Sequence, residues 1–119
     1  MKNILLVEDE KNVASFIKKG LEEDGYRVWM AYEGKAGLEV LNQKEIDLAI
    51  LDVNLPGMNG FEVCKKIREN DKKELPVIML TALGQESVVL DAVKSGARDF
   101  VVKPFEHDRI MKAITKLLS

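Results

Sequence analysis

The sequence is poor in several residues that define whole classes of protein. It holds one cysteine, Cys64, and one histidine, His107, in 119 residues. A single thiol excludes a disulfide framework and a thiolate zinc site. Cys64 reads instead as a small, partly buried apolar residue on a helix. A single imidazole leaves no His-based catalytic triad, and His107, near the start of the last predicted helix, is expected to face solvent. No apolar run approaches the roughly 18 residues that a membrane-spanning helix requires. The opening Met-Lys-Asn-Ile leads directly into a strand pattern, with no signal peptide. The expectation is a soluble, cytoplasmic protein. Neither sign of charge dominates: 18 Lys and Arg stand against 20 Asp and Glu, a net charge of −2. That balance supplies no bulk attraction to nucleic acid or to an anionic membrane. Repeats, low-complexity tracts and linkers are also missing. The chain is long enough to bury a core without covalent or metal staples, so residues 1–119 are expected to form one domain.

What the sequence does contain is a regular alternation. Short apolar runs recur at Ile4–Val7, Val28–Ala31, Leu48–Leu51, Val77–Leu80 and Phe100–Val102. Segments of helical period lie between them. Val13, Phe16, Ile17 and Leu21 share one face of a first helix, which Gly25 stops. Leu38 and Leu41 mark a second helix after Gly34. Phe61, Cys64 and Ile67 mark a third. Val89, Ala92 and Val93 mark a fourth, ending near Gly96, and Ile110, Ile114, Leu117 and Leu118 a fifth. Such alternation predicts βαβ units: an α/β fold, a doubly wound five-stranded parallel sheet with helices on both faces. Arg27 interrupts the second run, which suits an edge strand, and Trp29 is assigned to packing there.

The residues that follow the strands carry the functional signal. Glu8 and Asp9 follow the first run, Asp52 the third, Thr81 the fourth and Lys103 the fifth. Ligands of open α/β sheets bind beyond the carboxyl ends of the strands. Carboxylates converging there repel one another, and one tends to stay protonated. A divalent cation removes that conflict. With oxygen donors and no nearby His or Cys, the ion indicated is Mg²⁺. Lys103 brings a compact positive charge and Thr81 a hydroxyl donor, both suited to a phosphoryl group. Together they describe a site that moves phosphate onto or off a carboxylate.

Glu8-Asp9, Asp52, Thr81-Ala82 and Lys103-Pro104-Phe105 together resemble the receiver domains of two-component response regulators. The resemblance runs from NILLVEDE through LDVNLPGMNGFE and VIMLTA to GARDFVVKPF. It implies a flavodoxin-like sheet of order 2-1-3-4-5, which makes the first and third strands neighbours. It also implies roles. Asp52 is the phosphoacceptor, taking its group from the phosphohistidine of a sensor histidine kinase or phosphotransfer protein. Asp9 and Asp52 bind Mg²⁺ directly, with the carbonyl of Asn54, and Glu8 acts through water. Lys103, the Thr81 hydroxyl and the Ala82 amide contact phosphoryl oxygens. Lys103-Pro104 is expected to be cis, while Pro56 and Gly57 shape the loop after Asp52 and Gly60 opens the third helix. Members often carry tyrosine where this chain has Phe100, which reads either as a rotameric switch lacking a hydroxyl or as strand packing.

Phosphorylation adds roughly 1.5 to 2 negative charges, which Thr81 and Lys103 can follow. The expected responding surface is the fourth helix, fifth strand and fifth helix, where Lys94, Arg98, Phe100, His107 and Arg109 are candidates. Such a domain is a regulatory phosphoacceptor that assists its own phosphorylation and dephosphorylation. Its output is expected to run through a downstream protein partner or through an effector absent from this sequence, with phosphorylation-dependent homodimerisation as a further expectation. The first half looks like receivers that precede winged-helix DNA-binding domains, and the part from Ser95 looks closer to chemotaxis-type regulators. Two rival chemistries fit less well. A haloacid-dehalogenase-type phosphatase wants an aspartate two residues after its nucleophile, where this chain has Asn54. A nucleotide-binding protein wants a glycine-rich loop after a strand, and none follows. A third rival is a receiver that only binds a partner.

Overall fold

A computed structural model describes residues 1–69, 74–82, 90, 94, 96–103 and 106–118. Within them lie β1 (Asn3–Val7), α1 (Lys11–Glu23), β2 (Arg27–Ala31), α2 (Gly34–Gln43), β3 (Leu48–Asp52), α3 (Gly60–Glu69), β4 (Val77–Ala82), β5 (Asp99–Lys103) and a last helix (His107–Leu118). Most of the segment expected to form the fourth helix, Val89, Ala92 and Val93 included, lies outside the described residues. All strand pairs are parallel, in the order β2-β1-β3-β4-β5. The edge position of β2 agrees with its exposed Arg27.

The unbroken apolar runs are explained by burial on both sides of the sheet. Side chains along a strand alternate between faces. Ile4 and Leu6 of β1, Leu48 and Ile50 of β3, and Ile78 and Leu80 of β4 meet Ala14, Ile17 and Leu21 of α1 and Ile110, Ala113 and Ile114 of the last helix. Their neighbours Leu5, Val7, Ala49, Leu51, Val77 and Met79 meet Leu41 of α2 and Val63, Cys64 and Ile67 of α3. Every residue of these central runs therefore contributes to one core layer or the other. Cys64 is fully buried in the second layer, as an apolar residue would be.

Helix ends follow local chemistry. After α1, Gly25 adopts φ +92°, its amide donates to the Glu22 carbonyl, and the Tyr26 amide donates to that of Leu21. This pair of bonds is the Schellman closure that a left-handed glycine permits. At the start of α3, the Glu62 amide donates to Asn59 Oδ1 (2.9 Å) while the Asn59 amide donates to Glu62 Oε1 (3.3 Å). That reciprocal capping box fixes the first turn at Gly60.

Two side chains depart from expectation. Phe16 is 54% exposed, because the buried stripe of α1 is Ala14, Ile17 and Leu21 and Phe16 falls on its flank. His107 does not simply face solvent. Its ring lies against Gly20 of α1, where an added Cβ would come within 2.6 Å of ring atoms Cε1 and Nδ1. His107 Nε2 also lies 2.7 Å from Asp24 Oδ2, at the end of α1. The missing side chain of Gly20 thus makes a socket for the first residue of the last helix.

Candidate functional site

Strand alternation also determines which polar side chains can meet. Glu8 continues the parity of Ile4 and Leu6, Asp52 that of Leu48 and Ile50, and Lys103 that of Val101. All three therefore fall on the α1 side of the sheet, at its carboxyl edge. Ladder bonds hold the two acids in place: the Glu8 amide donates to the Ala31 carbonyl (3.1 Å), and the Val53 amide to that of Leu80 (2.9 Å). Asp52, Thr81 and Lys103 lie inside their strands rather than beyond them, since β3, β4 and β5 extend past their apolar runs.

Lys103 Nζ donates to Glu8 Oε1 at 2.5 Å and to Asp52 Oδ2 at 2.7 Å. Each carboxylate spends its second oxygen on a backbone amide: Glu8 Oε2 accepts from Glu10 (3.2 Å) and Asp52 Oδ1 from Asn54 (3.0 Å). Glu8 is 0% exposed, Asp52 3% and Thr81 2%, and these are the buried polar or charged residues among those described. Burying charge is costly unless it is paired. That the fold concentrates this burial at one strand-end cluster marks the cluster as functional.

Electrostatics express the crowding. Burial, followed by the adjacent Asp52 carboxylate, pushes the Glu8 pKa up from 4.5 to about 7, against the opposing pull of Lys103 and the Glu10 amide. Burial alone would lower the Lys103 ammonium, but its bonds to Asp52 and Glu8 outweigh burial and raise it. One acid inclined to hold its proton is what the convergence of carboxylates predicts.

Glu8, Asp9 and Asp52 can each offer one oxygen, with all three atoms within 4.8 Å of one another. Asp9 is exposed while the other two are buried, so the cluster opens to solvent on one side. An oxygen-only donor set with solvent access fits Mg²⁺, which retains waters.

The remaining expected residues divide. Asn54 touches Asp52 through its amide, a contact that the sequence reading, concerned with its carbonyl, did not include. Thr81 has the opposite strand parity, that of Val77 and Met79, and its hydroxyl donates to the Ala82 carbonyl at 3.2 Å. Ala82 pairs with Lys103 across β4 and β5. Phe100 packs half-buried against the core layer beneath α2 and α3, and its carbonyl accepts from Arg109 at 3.0 Å. Pro104, with the expected cis bond, and Phe105 lie outside the described residues. No helix among the described residues is long and apolar enough to cross a membrane.

Known proteins are similar to this chain in sequence and in fold. The family profile described as the response regulator receiver domain matches residues 4–115. The response regulator ArlR of Staphylococcus haemolyticus is 40% identical over 118 residues, which cover 99% of this chain and 53% of that protein. The transcriptional regulatory protein AfsQ1 of Streptomyces coelicolor is 42% identical over 106 residues, 89% of this chain and 46% of that one. The chain thus spans about half the length of the curated relatives it matches. Among solved structures, chemotaxis protein CheY4 of Vibrio cholerae superposes with a TM-score of 0.93 at 30% identity, covering 99% of both chains. A response regulator from Chloroflexus aurantiacus gives 0.95 at 34% identity, covering 98% of this chain and 97% of that one.

Proposed function

The chain belongs to the response regulator receiver family of two-component signalling, whose members imply a cognate histidine kinase, and from that premise we propose that Asp52 is its phosphoacceptor. The observation that carries this reading is the buried carboxylate of Asp52, held between Lys103 and the Asn54 amide at the sheet's carboxyl edge. Residues 1–119 act as one receiver domain. An Asp52 oxygen attacks the phosphorus of a phosphohistidine. The new bond is O–P and the broken one N–P, and the imidazole nitrogen leaves with the electron pair and takes up a proton.

Asp9, Asp52 and the Asn54 carbonyl would hold Mg²⁺ directly, and Glu8 would act through water. Bound there, the ion would neutralise the clustered carboxylates and the charge of the incoming phosphoryl group. Lys103 supplies a second positive charge and already reaches Asp52 Oδ2. The Ala82 amide and the Thr81 hydroxyl are the remaining donors, and the hydroxyl must leave the Ala82 carbonyl to serve. This positioning lets the domain assist both its own phosphorylation and its dephosphorylation.

The output surface is placed on the expected fourth helix, β5 and the last helix. Arg109 already joins the last helix to β5 through the Phe100 carbonyl and approaches Asp99 Oδ1 at 3.8 Å. A change in this surface would alter a downstream partner, an effector or a phosphorylation-dependent homodimer, with no nucleic-acid contact by the domain itself. The test is intact-mass measurement after incubation with a small-molecule phosphodonor and Mg²⁺, with and without EDTA. The wild type should gain one phosphoryl group only with free Mg²⁺, and Asp52→Asn should gain none. Continuous phosphate release without a mass gain would favour a phosphatase, and no reaction even with the cognate kinase would favour a binding-only module.

A further inference from the structure

The geometry assigns Gly60 as a positioning residue for Asp52, a role that rests on Asp52 being the phosphoacceptor. Glycine is among the poorest helix formers, yet this one occupies the first position of α3. Its backbone does not demand glycine, since the described residues with left-handed φ are Gly25, Gly57 and Gly96. Space does. A Cβ at Gly60 would collide with the main-chain oxygen of Asp52, and it would lie 3.0 Å from that carbonyl's carbon and 2.8 Å from Met79 Cε. The methionine tip can swing aside. The Asp52 carbonyl cannot, because it belongs to a central strand buried in the sheet.

One further bond ties α3 to this point, and a capping box sets where the helix begins. The Gly60 amide donates to the Val53 carbonyl at 3.0 Å, and the Asn59–Glu62 capping box fixes the helix start. Any side chain at position 60 must therefore displace either the helix or the phosphoacceptor's own backbone. Displacing the latter moves the Asp52 carboxylate relative to Glu8 Oε1 and Lys103 Nζ, which now meet at 2.5 Å. Gly60 touches no reacting atom. It acts by letting the backbone of Asp52 sit where its carboxylate meets the other site groups.

The test compares Gly60→Ala with Gly25→Ala. Gly25 has φ +92° and open space around its Cβ position, so its substitution strains the backbone far from the site. For each, urea unfolding gives the folded fraction, and intact mass gives the phosphorylation rate with acetyl phosphate at saturating donor and Mg²⁺. Gly60→Ala should lower the maximal rate per folded molecule at least tenfold and weaken Mg²⁺ binding. Gly25→Ala should lose stability and keep both. If Gly60→Ala leaves little folded protein, Gly60→Ala with Met79→Leu carries the same test, because it relieves only the side-chain half of the clash. A normal rate per folded molecule in Gly60→Ala, or full recovery on adding Met79→Leu, overturns the assignment. A wild type that accepts no phosphate refutes the phosphoacceptor reading instead, so the two failures are distinguishable.

Discussion

Gly20→Ala offers a prediction whose sign depends on one other residue. Alanine is favoured over glycine inside a helix by about 1 kcal/mol, and position 20 has no left-handed φ to oppose it. On helix propensity alone the substitution stabilises. The new methyl, however, would lie 2.6 Å from His107 Cε1 and Nδ1 and 3.3 Å from Cγ. The ring can move only by giving up Asp24 Oδ2, now 2.7 Å away. Overpacking of this kind costs about 1–3 kcal/mol, and a half-exposed hydrogen bond adds about 1 kcal/mol. The net effect is a loss of about 1–3 kcal/mol. In a His107→Ala background the obstruction is gone, and the same substitution should gain up to about 1 kcal/mol. The coupling of about 2–4 kcal/mol is measurable by urea unfolding of the four proteins at fixed pH with equal m-values. Gly20→Ala effects that agree within about 0.5 kcal/mol in the two backgrounds would refute the socket.

Two further predictions concern the acidic site. Between pH 4.5 and about 7 the folded protein retains a Glu8 proton that the unfolded chain has released. Stability of the metal-free protein therefore falls as pH rises through that window, by up to about 1.4 kcal/mol per pH unit, and this contribution is constant above it. The decline should appear as a difference between wild type and Glu8→Gln in chelator and should shrink with Mg²⁺; a wild type that gains stability over the window relative to Glu8→Gln contradicts it. Lys103→Met removes the ammonium joining Glu8 and Asp52. Breaking a buried pair costs about 3–5 kcal/mol, but Lys103 is 26% exposed and Glu8 can take a proton, so the expected loss in chelator is about 1–3 kcal/mol. Mg²⁺ should bind this variant at least as tightly, because Lys103 occupies oxygens that the ion needs, and weaker binding on Mg²⁺ titration would contradict that competition.

The fold was legible because its central strands are continuous apolar runs, and such runs between helical segments have few alternatives to a doubly wound sheet. Their residues Ile4, Leu6, Leu48 and Ile50 fill one layer and Leu5, Val7, Ala49 and Leu51 the other. The acids were legible for the same reason, since Glu8 and Asp52 end those runs. The geometry between elements was less so. Phe16 looked like a core residue because the apolar stripe was drawn through it, whereas Ala14 shares the buried face with Ile17 and Leu21. His107 depends on a glycine 87 positions earlier, Gly20, which no local pattern connects to it. Gly60 was visible as a helix start, but its approach to the Asp52 carbonyl exists only once α3 is docked. Thr81 counts with Val77 and Met79 along β4, and the contact of its hydroxyl with the Ala82 carbonyl was not legible from the apolar run.

The most direct test of the account is to find where the phosphoryl group sits. The protein is phosphorylated by a small acyl phosphate with Mg²⁺, treated at once with borohydride, digested, and read by tandem mass spectrometry. Reduction of an aspartyl phosphate leaves homoserine in the chain. The account predicts homoserine at position 52 alone, lost when EDTA is present during phosphorylation. Homoserine at position 9, or a phosphorylated protein in which Asp52 survives unreduced, would contradict it.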